Sequence, residues 1–319
     1  MMRLVKVELT RLLWRRAVLV LLALAVVLPL AVLVLRVVDT RTQSFDDIVA
    51  ENGSYVVDEV EGCVRHPGRY GVGGADDVTA ACQRVIAGWY GNSPLDLVEE
   101  REAGGALAAI LLVTMVLMLA GITFAGHDWN TGSMSNQLLF EPRRERVWLA
   151  KAVAVGLLTA ALAMAVLVAF WTGVWVTASV RDLDIPAHAV SAGYKQAVLG
   201  AGFATGAAVF GYALTMLLRS TVGTLGVLFA VGFFCVVVVA GVLGLEGGVE
   251  RVMPWGNFVA YAVGGYEFYD YDACVMDMSG GGCDTGETIK RSAAVLYFAV
   301  IWVVVAIPSL LSFRVRDVP

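Results

Sequence analysis

The sequence is poor in charge. Only 23 basic and 28 acidic residues occur among 319, 16% of the chain, whereas 58% is hydrophobic and the mean hydropathy is +0.74. That balance excludes a soluble globular domain and a disordered chain, both of which need far more polar surface. No heptad period and no Gly-X-Y repeat runs through the chain, so coiled-coil and collagen-like classes fall as well. Chemistry-bearing motifs are equally scarce. No G-x-x-x-x-G-K-[ST] occurs, so the chain has no P-loop with which to cradle a nucleotide, and no H-E-x-x-H, G-x-S-x-G or Cys-x-x-Cys is present. The three histidines, His66, His127 and His188, fall in three different connections and point to no shared metal site.

What the sequence has instead is long runs without an ionisable residue. Six of them, 17–35, 103–126, 152–180, 196–218, 220–245 and 292–313, contain 19, 24, 29, 23, 26 and 22 residues. At about 1.5 Å per residue each reaches across a hydrocarbon core of about 30 Å as a helix. Their continuous apolarity excludes the alternation of a membrane β-barrel. The expected fold is therefore an all-α polytopic membrane protein with six transmembrane helices. Only Arg219 separates the fourth run from the fifth, which requires a tight reversal near 218–223. Because the runs carry no Asp, Glu, Lys, Arg or His, an ion-coupled transporter is disfavoured. The first run follows Arg15 and Arg16 and contains Ala23-Leu24-Ala25, but the small-residue pattern lies inside the run. It reads as a retained anchor and not as a cleaved signal.

Basic residues set the expected orientation. The leader, the 127–151 connection, the Arg219 turn and the tail together balance at +7, while the remaining connections balance at −12. By the positive-inside rule both termini are expected on the cytoplasmic side of the cell membrane. The same asymmetry removes any reason to invoke nucleic acid. The divisions expected are a cytoplasmic amphipathic helix at 1–16, a first span at 17–35, an extracytoplasmic loop at 36–102, spans two to five over 103–245, an extracytoplasmic segment at 246–291, and the last span and tail at 292–319. In the leader, Leu4, Val5, Leu9, Leu12 and Leu13 fall broadly on one helical side and Arg11 and Arg15 on another.

Four of the five cysteines lie in the two outer segments, Cys63 and Cys82 in the first and Cys274 and Cys283 in the second. Four cysteines allow three pairings; one disulfide within each segment is the most economical on an oxidising face, with reduced thiols as the alternative. Cys235 stands alone and reads as a small core residue. In the fourth run Gly200, Gly202, Gly206 and Gly211 are placed for close helix approach, Gly202 and Gly206 as a G-x-x-x-G. Tyr266, Phe268, Tyr269 and Tyr271 read as an interfacial aromatic belt.

The most informative stretch runs from Phe124 to Lys151, FAGHDWNTGSMSNQLLFEPRRERVWLAK. It has an acid at Asp128, Gly132-Ser133, the pair Leu138-Leu139, Pro142-Arg143-Arg144, and Ala150-Lys151 opening the next run. This pattern resembles the permease subunits of type-2 ABC transporters, in particular actinobacterial exporter-like components without a fused ATPase. The departure is Asp128, where the family pattern has glutamate. The turn 214–224, LTMLLRSTVGT, is similar to that family's turn between its fourth and fifth helices. The resemblance implies a dimer with a second permease subunit, identical or related, and docking of a cytosolic ABC ATPase on the 127–151 segment through Asp128, Gly132, Glu141, Pro142, Arg143, Arg144, Arg146 and Lys151. It implies no cofactor and no catalysis in this chain, with ATP and Mg on the partner, and re-entrant helices within 246–291. A hydrophobic or amphiphilic substrate would be exported by alternating access. Read without the resemblance, 130–135 suits a helix cap, 137–140 is apolar enough to dock and Pro142 can open the next helix. An alternative stays open: an extracytoplasmic sensing or scaffold protein built around the acidic 36–102 loop.

Overall fold

The computed structural model describes residues 1–235, 237, 249–269 and 286–316. Its helices are α1 (Met2–Leu13), α2 (Arg16–Asp39), α3 (Phe45–Asn52), α4 (Tyr55–Arg65), α5 (Val78–Tyr90), α6 (Leu97–Glu102), α7 (Gly105–Asn130), α8 (Ser133–Phe140), α9 (Arg144–Val180), α10 (Ala187–Leu218), α11 (Thr221–Phe233), α12 (Pro254–Val263) and α13 (Arg291–Val315). Short 3-10 turns lie at Pro67–Tyr70 and Val249–Val252. Two strands, β1 (Gly265–Tyr269) and β2 (Gly286–Lys290), form an antiparallel pair with Tyr266 opposite Ile289 and Phe268 opposite Glu287.

Five helical stretches among the described residues are long and apolar enough to cross a membrane: α2, α6 with α7 as Leu97–Asn130, α9, α10 and α13. The sixth expected span is described as helix only over Thr221–Phe233, 13 residues, and the rest of its window lies largely outside the described residues. The chain reverses where expected. Arg219 ends α10 in the left-handed region at φ 56°, and the Ser220 hydroxyl accepts the Gly223 amide at 3.1 Å to cap α11.

Most helices outrun the charge-free windows that announced them. α9 begins at Arg144 and carries Lys151 in its interior; α10 begins at Ala187 and carries Lys195. A window bounded by charges marks where a helix can be bathed in lipid, and it misses the turns that emerge into headgroups or bury a paired charge.

α7 lies at the centre, against α2, α10 and α11, with α9 and α13 packed on α10. Its approach to α10 depends on absent side chains. A Cβ on Gly121 would lie 2.2 Å from the Ala208 carbonyl oxygen, and one on Gly211 would lie 2.8 Å from that of Met118. Gly200 is similarly tight against Ile110. The G-x-x-x-G pair is looser among the described residues: a Cβ on Gly202 would meet the Tyr261 hydroxyl at 3.6 Å, and one on Gly206 would meet nothing within 4 Å.

Residues 45–90 form a small helical domain at one end of the bundle. Ile48, Val56, Val60 and Ile86 pack around the Cys63–Cys82 disulfide. Ser44 caps α3 in a reciprocal box with Asp47, and Asp77 and Asp96 cap α5 and α6. The second expected disulfide, Cys274–Cys283, lies outside the described residues, and Cys235 is a free thiol of intermediate burial. The strand pair is a departure from an all-helical chain. Tyr266, Phe268 and Ile289 have strand-forming side chains, and Phe268 and Ile289 are buried on Ala260 and Ala294. Phe268 is thus a core residue and not part of a membrane-interface belt.

Candidate functional site

The stretch 124–151 closes one end of the bundle. α7 ends at Asn130, and Gly132 adopts φ 66°, a left-handed conformation that glycine takes without a Cβ penalty, so that α8 turns away at once. Met134 faces inward and is buried, whereas Leu139 and Phe140, at the free tip of α8, are 80% and 91% exposed. Glu141 ends α8, Pro142 breaks the helix, and α9 starts two residues later.

Beneath α8 lies a buried ionic network. Asp128, Lys151 and Glu8 are all 0% exposed. The Lys151 ammonium donates to Asp128 Oδ2 at 2.5 Å and to Glu8 Oε2 at 2.8 Å. Asp128 Oδ1 accepts from Arg15, from Arg11 at 3.3 Å and from the Ser133 hydroxyl at 2.7 Å. Glu8 Oε1 accepts from Arg11 at 3.2 Å and from the Gln137 amide. Arg15 also donates to the Phe124 carbonyl at 2.7 Å, and both Arg15 and Lys151 stand over the Phe124 ring. Three cations thus share two carboxylates, and the remaining valences are met by Ser133, Gln137 and a backbone carbonyl. Such burial is tolerated only when every charge is paired and hydrogen-bonded. The network fastens α1, α7, α8 and α9 to one another, so any force on α8 acts directly on two long helices.

The expected docking residues divide into three groups. Asp128 and Lys151 are wholly buried and offer no surface. Arg144 turns inward along the bundle, donating to the carbonyls of Phe313, Arg314 and Arg316 at 3.4, 3.5 and 2.6 Å, which caps the end of α13. Pro142, Arg143 and Arg146 are exposed, with Glu141 and Gly132 beside the α8 helix they bound. Glu145 pairs with Arg314 at 2.8 Å.

Glu8, Ser133 and Gln137 lie outside the expected site, and Arg11 and Arg15, expected on the basic side of the leader helix, join it as well. One signal for Glu8 was present: Leu4, Glu8 and Leu12 follow one another at four-residue spacing, so the only acid of the leader sits within its apolar stripe. Arg11 lies one helical turn beyond Glu8 and pairs with it, and Arg15, just past the end of α1, reaches Asp128 in the same network. No group of three or more metal-ligating side chains occurs among the described residues. No family model matches the chain, and neither a curated protein nor a solved structure matches it.

Proposed function

We propose that this chain is the membrane-spanning permease subunit of a type-2 ABC transporter, driven by ATPase subunits on separate chains. In this reading the chain crosses the cell membrane six times with both termini cytoplasmic, forms a dimer with a second permease subunit, and exports a hydrophobic or amphiphilic substrate by alternating access. The observation that carries it is the α8 tip. A Leu139–Phe140 pair exposed beyond a charged rim, on a helix pinned from below by a buried network, suits a detachable motor better than it suits water. Burial of each of these side chains in a partner groove would contribute about 1.5–3 kcal/mol, and the mixed charges of Glu141, Arg143 and Arg146 would supply selectivity. Asp128 and Lys151 then act by positioning α8 and not by touching the motor. The sixth crossing is supported by connectivity: α11 begins beside Gly126, at the α8 end, and the described chain resumes at Val249 near the opposite end, where Arg101 reaches the Val263 carbonyl.

The test is purification of the tagged chain from its native membranes in mild detergent, with mass spectrometry for a Walker-A protein in stoichiometric amount. Phe140→Asp should abolish its recovery while the permease remains folded; a folded wild type that brings down no such ATPase overturns the reading. The separate core around Cys63–Cys82 favours a second reading, an extracytoplasmic sensing or scaffold protein. Deletion of 41–99 separates the two, because surviving transport would eliminate the second.

A further inference from the structure

At the α8 end a second feature lies apart from the α8 tip. A cavity of about 440 Å³ opens between the start of α9 and the end of α13, lined by Pro142, Arg143, Arg144, Glu145, Arg146 and Arg314. Four guanidinium groups face one carboxylate. Glu145 is taken by Arg314 and one amine of Arg144 by the α13 carbonyls, whereas Arg143 and Arg146 make no ion pair among the described residues. The site is therefore an anion receptor in excess of its own counter-charge.

What lies below the arginines names the anion. On α9, Leu149, Val153 and Leu157 follow Arg146 at spacings that keep them on one helical face, and all three are exposed. On α13, Leu311, Ile307 and Val304 lie three, seven and ten residues before Arg314, again on one helical face, and all three are exposed as well. Two helices thus present the same order, a guanidinium at the tip and then about two turns of uncovered aliphatic surface. We infer that this cleft binds an anionic phospholipid, its phosphate among Arg143, Arg146 and Arg314 and its acyl chains along α9 and α13. Basic pockets between spanning helices are the ordinary receptors for such headgroups. A carboxylate on a folded partner, or free phosphate, would satisfy the arginines but make no use of the aliphatic lanes that lead away from them. The inference rests on α9 and α13 lying in a bilayer and does not require an ATPase, although Arg143 and Arg146 are shared with the rim proposed above to face the motor.

The test uses the full chain, delipidated in neutral detergent, without any ATPase. Phosphatidylglycerol should raise the thermal unfolding midpoint by about 3 °C, while phosphatidylcholine and inorganic phosphate should not. The Arg143→Gln/Arg146→Gln double variant should lose most of the shift, and Arg3→Gln/Lys6→Gln, in the exposed leader, should keep it. Equal shifts with both lipids, a shift reproduced by phosphate, or a full shift in the double variant would each overturn the inference. No response to either lipid would also overturn it and leave the arginines to an acidic protein surface. If the double variant does not fold, counting the phosphatidylglycerol retained by wild type against phosphatidylcholine in native mass spectrometry decides the question.

Discussion

The two ends of the bundle face the same physical problem, polar groups at helix ends bordering an apolar interior, and solve it differently. At the α8 end five ionised side chains converge on one buried point, and three of them, Glu8, Asp128 and Lys151, have no exposure at all. At the opposite end the contacts are dispersed. Arg36 pairs with buried Glu100, whose other oxygen accepts the Gly105 amide at 2.8 Å. Arg181 donates to the Thr40 and Val37 carbonyls that end α2, and Gln196 donates to the Arg101 carbonyl. Beyond them a covalent bond, Cys63–Cys82, holds a domain with its own core. A converged network makes four elements move as one, whereas dispersed contacts and a local cross-link let each element keep its own stability. On the permease reading proposed above, the first arrangement suits an end that takes up force, and the second an end that carries an appended domain.

The largest effect expected is from Asp128→Ala. It leaves Lys151 with Glu8 alone and Arg15 with only the Phe124 carbonyl, so three cations share one carboxylate, and should cost about 3–5 kcal/mol, read as the unfolding midpoint of the purified protein in detergent. Glu100→Ala at the opposite end should cost clearly less. Arg36 is the only cation it abandons, and that side chain is 30% exposed and can turn to water. Equal losses would break the comparison. Coupling between Glu8 and Lys151 sharpens it: a double-mutant cycle with Glu8→Gln and Lys151→Met should return an interaction of about 1–3 kcal/mol. The cycle pairing Glu8→Gln with Arg36→Gln, across the bundle, should be additive.

The positions of these two solutions were unequally legible in the sequence. Five of the spanning stretches, the Arg219 reversal, the leader helix and the Cys63–Cys82 pair were readable because each depends on local composition or on a count. The network was half legible. Asp128 and Lys151 stood out within one continuous stretch, but their partners Glu8 and Arg15 lie more than 100 residues away, and nothing local states that the leader folds back on α9. The strand pair was hidden for a similar reason: β1 and β2 are each five residues long and 16 residues apart, and their pairing is a tertiary event. Among the described residues a Cβ on Gly206, placed in a recognised motif, would meet open space, whereas one on Gly121, outside that motif, would run into the α10 backbone. Spacing identifies where small residues permit contact, and only packing decides which of them is used.

A smaller effect should follow Cys63→Ser/Cys82→Ser. Opening a loop of 19 residues releases about 3 kcal/mol of chain entropy, but the loss should stay within 45–90. Limited proteolysis should cut that domain faster while the midpoint of the bundle is unchanged. A fall in the bundle midpoint equal to that of Asp128→Ala would mean that the two ends are one cooperative unit, and the contrast drawn above would fail.

The smallest effect tests the independence of the 45–90 domain without touching its cross-link. Ser44 donates its amide and hydroxyl to the Asp47 carboxylate, which holds the Asp47 pKa below the ordinary aspartate value. A depressed pKa contributes stability that is present above the unfolded-state value and is lost as pH falls through the folded-state value. Ser44→Ala removes both the hydroxyl that accepts the Asp47 amide and one of the two donors, and should cost about 1 kcal/mol of local stability. Hydrogen exchange of the first α3 amides should therefore rise at neutral pH in the variant. The difference from wild type should narrow as the solution is acidified below the ordinary aspartate range, where Asp47 is protonated in both. Exchange in α7 and α9 should not change at either pH; if it does, the 45–90 domain and the bundle share one unfolding transition, and the dispersed end is as tightly coupled as the converged one.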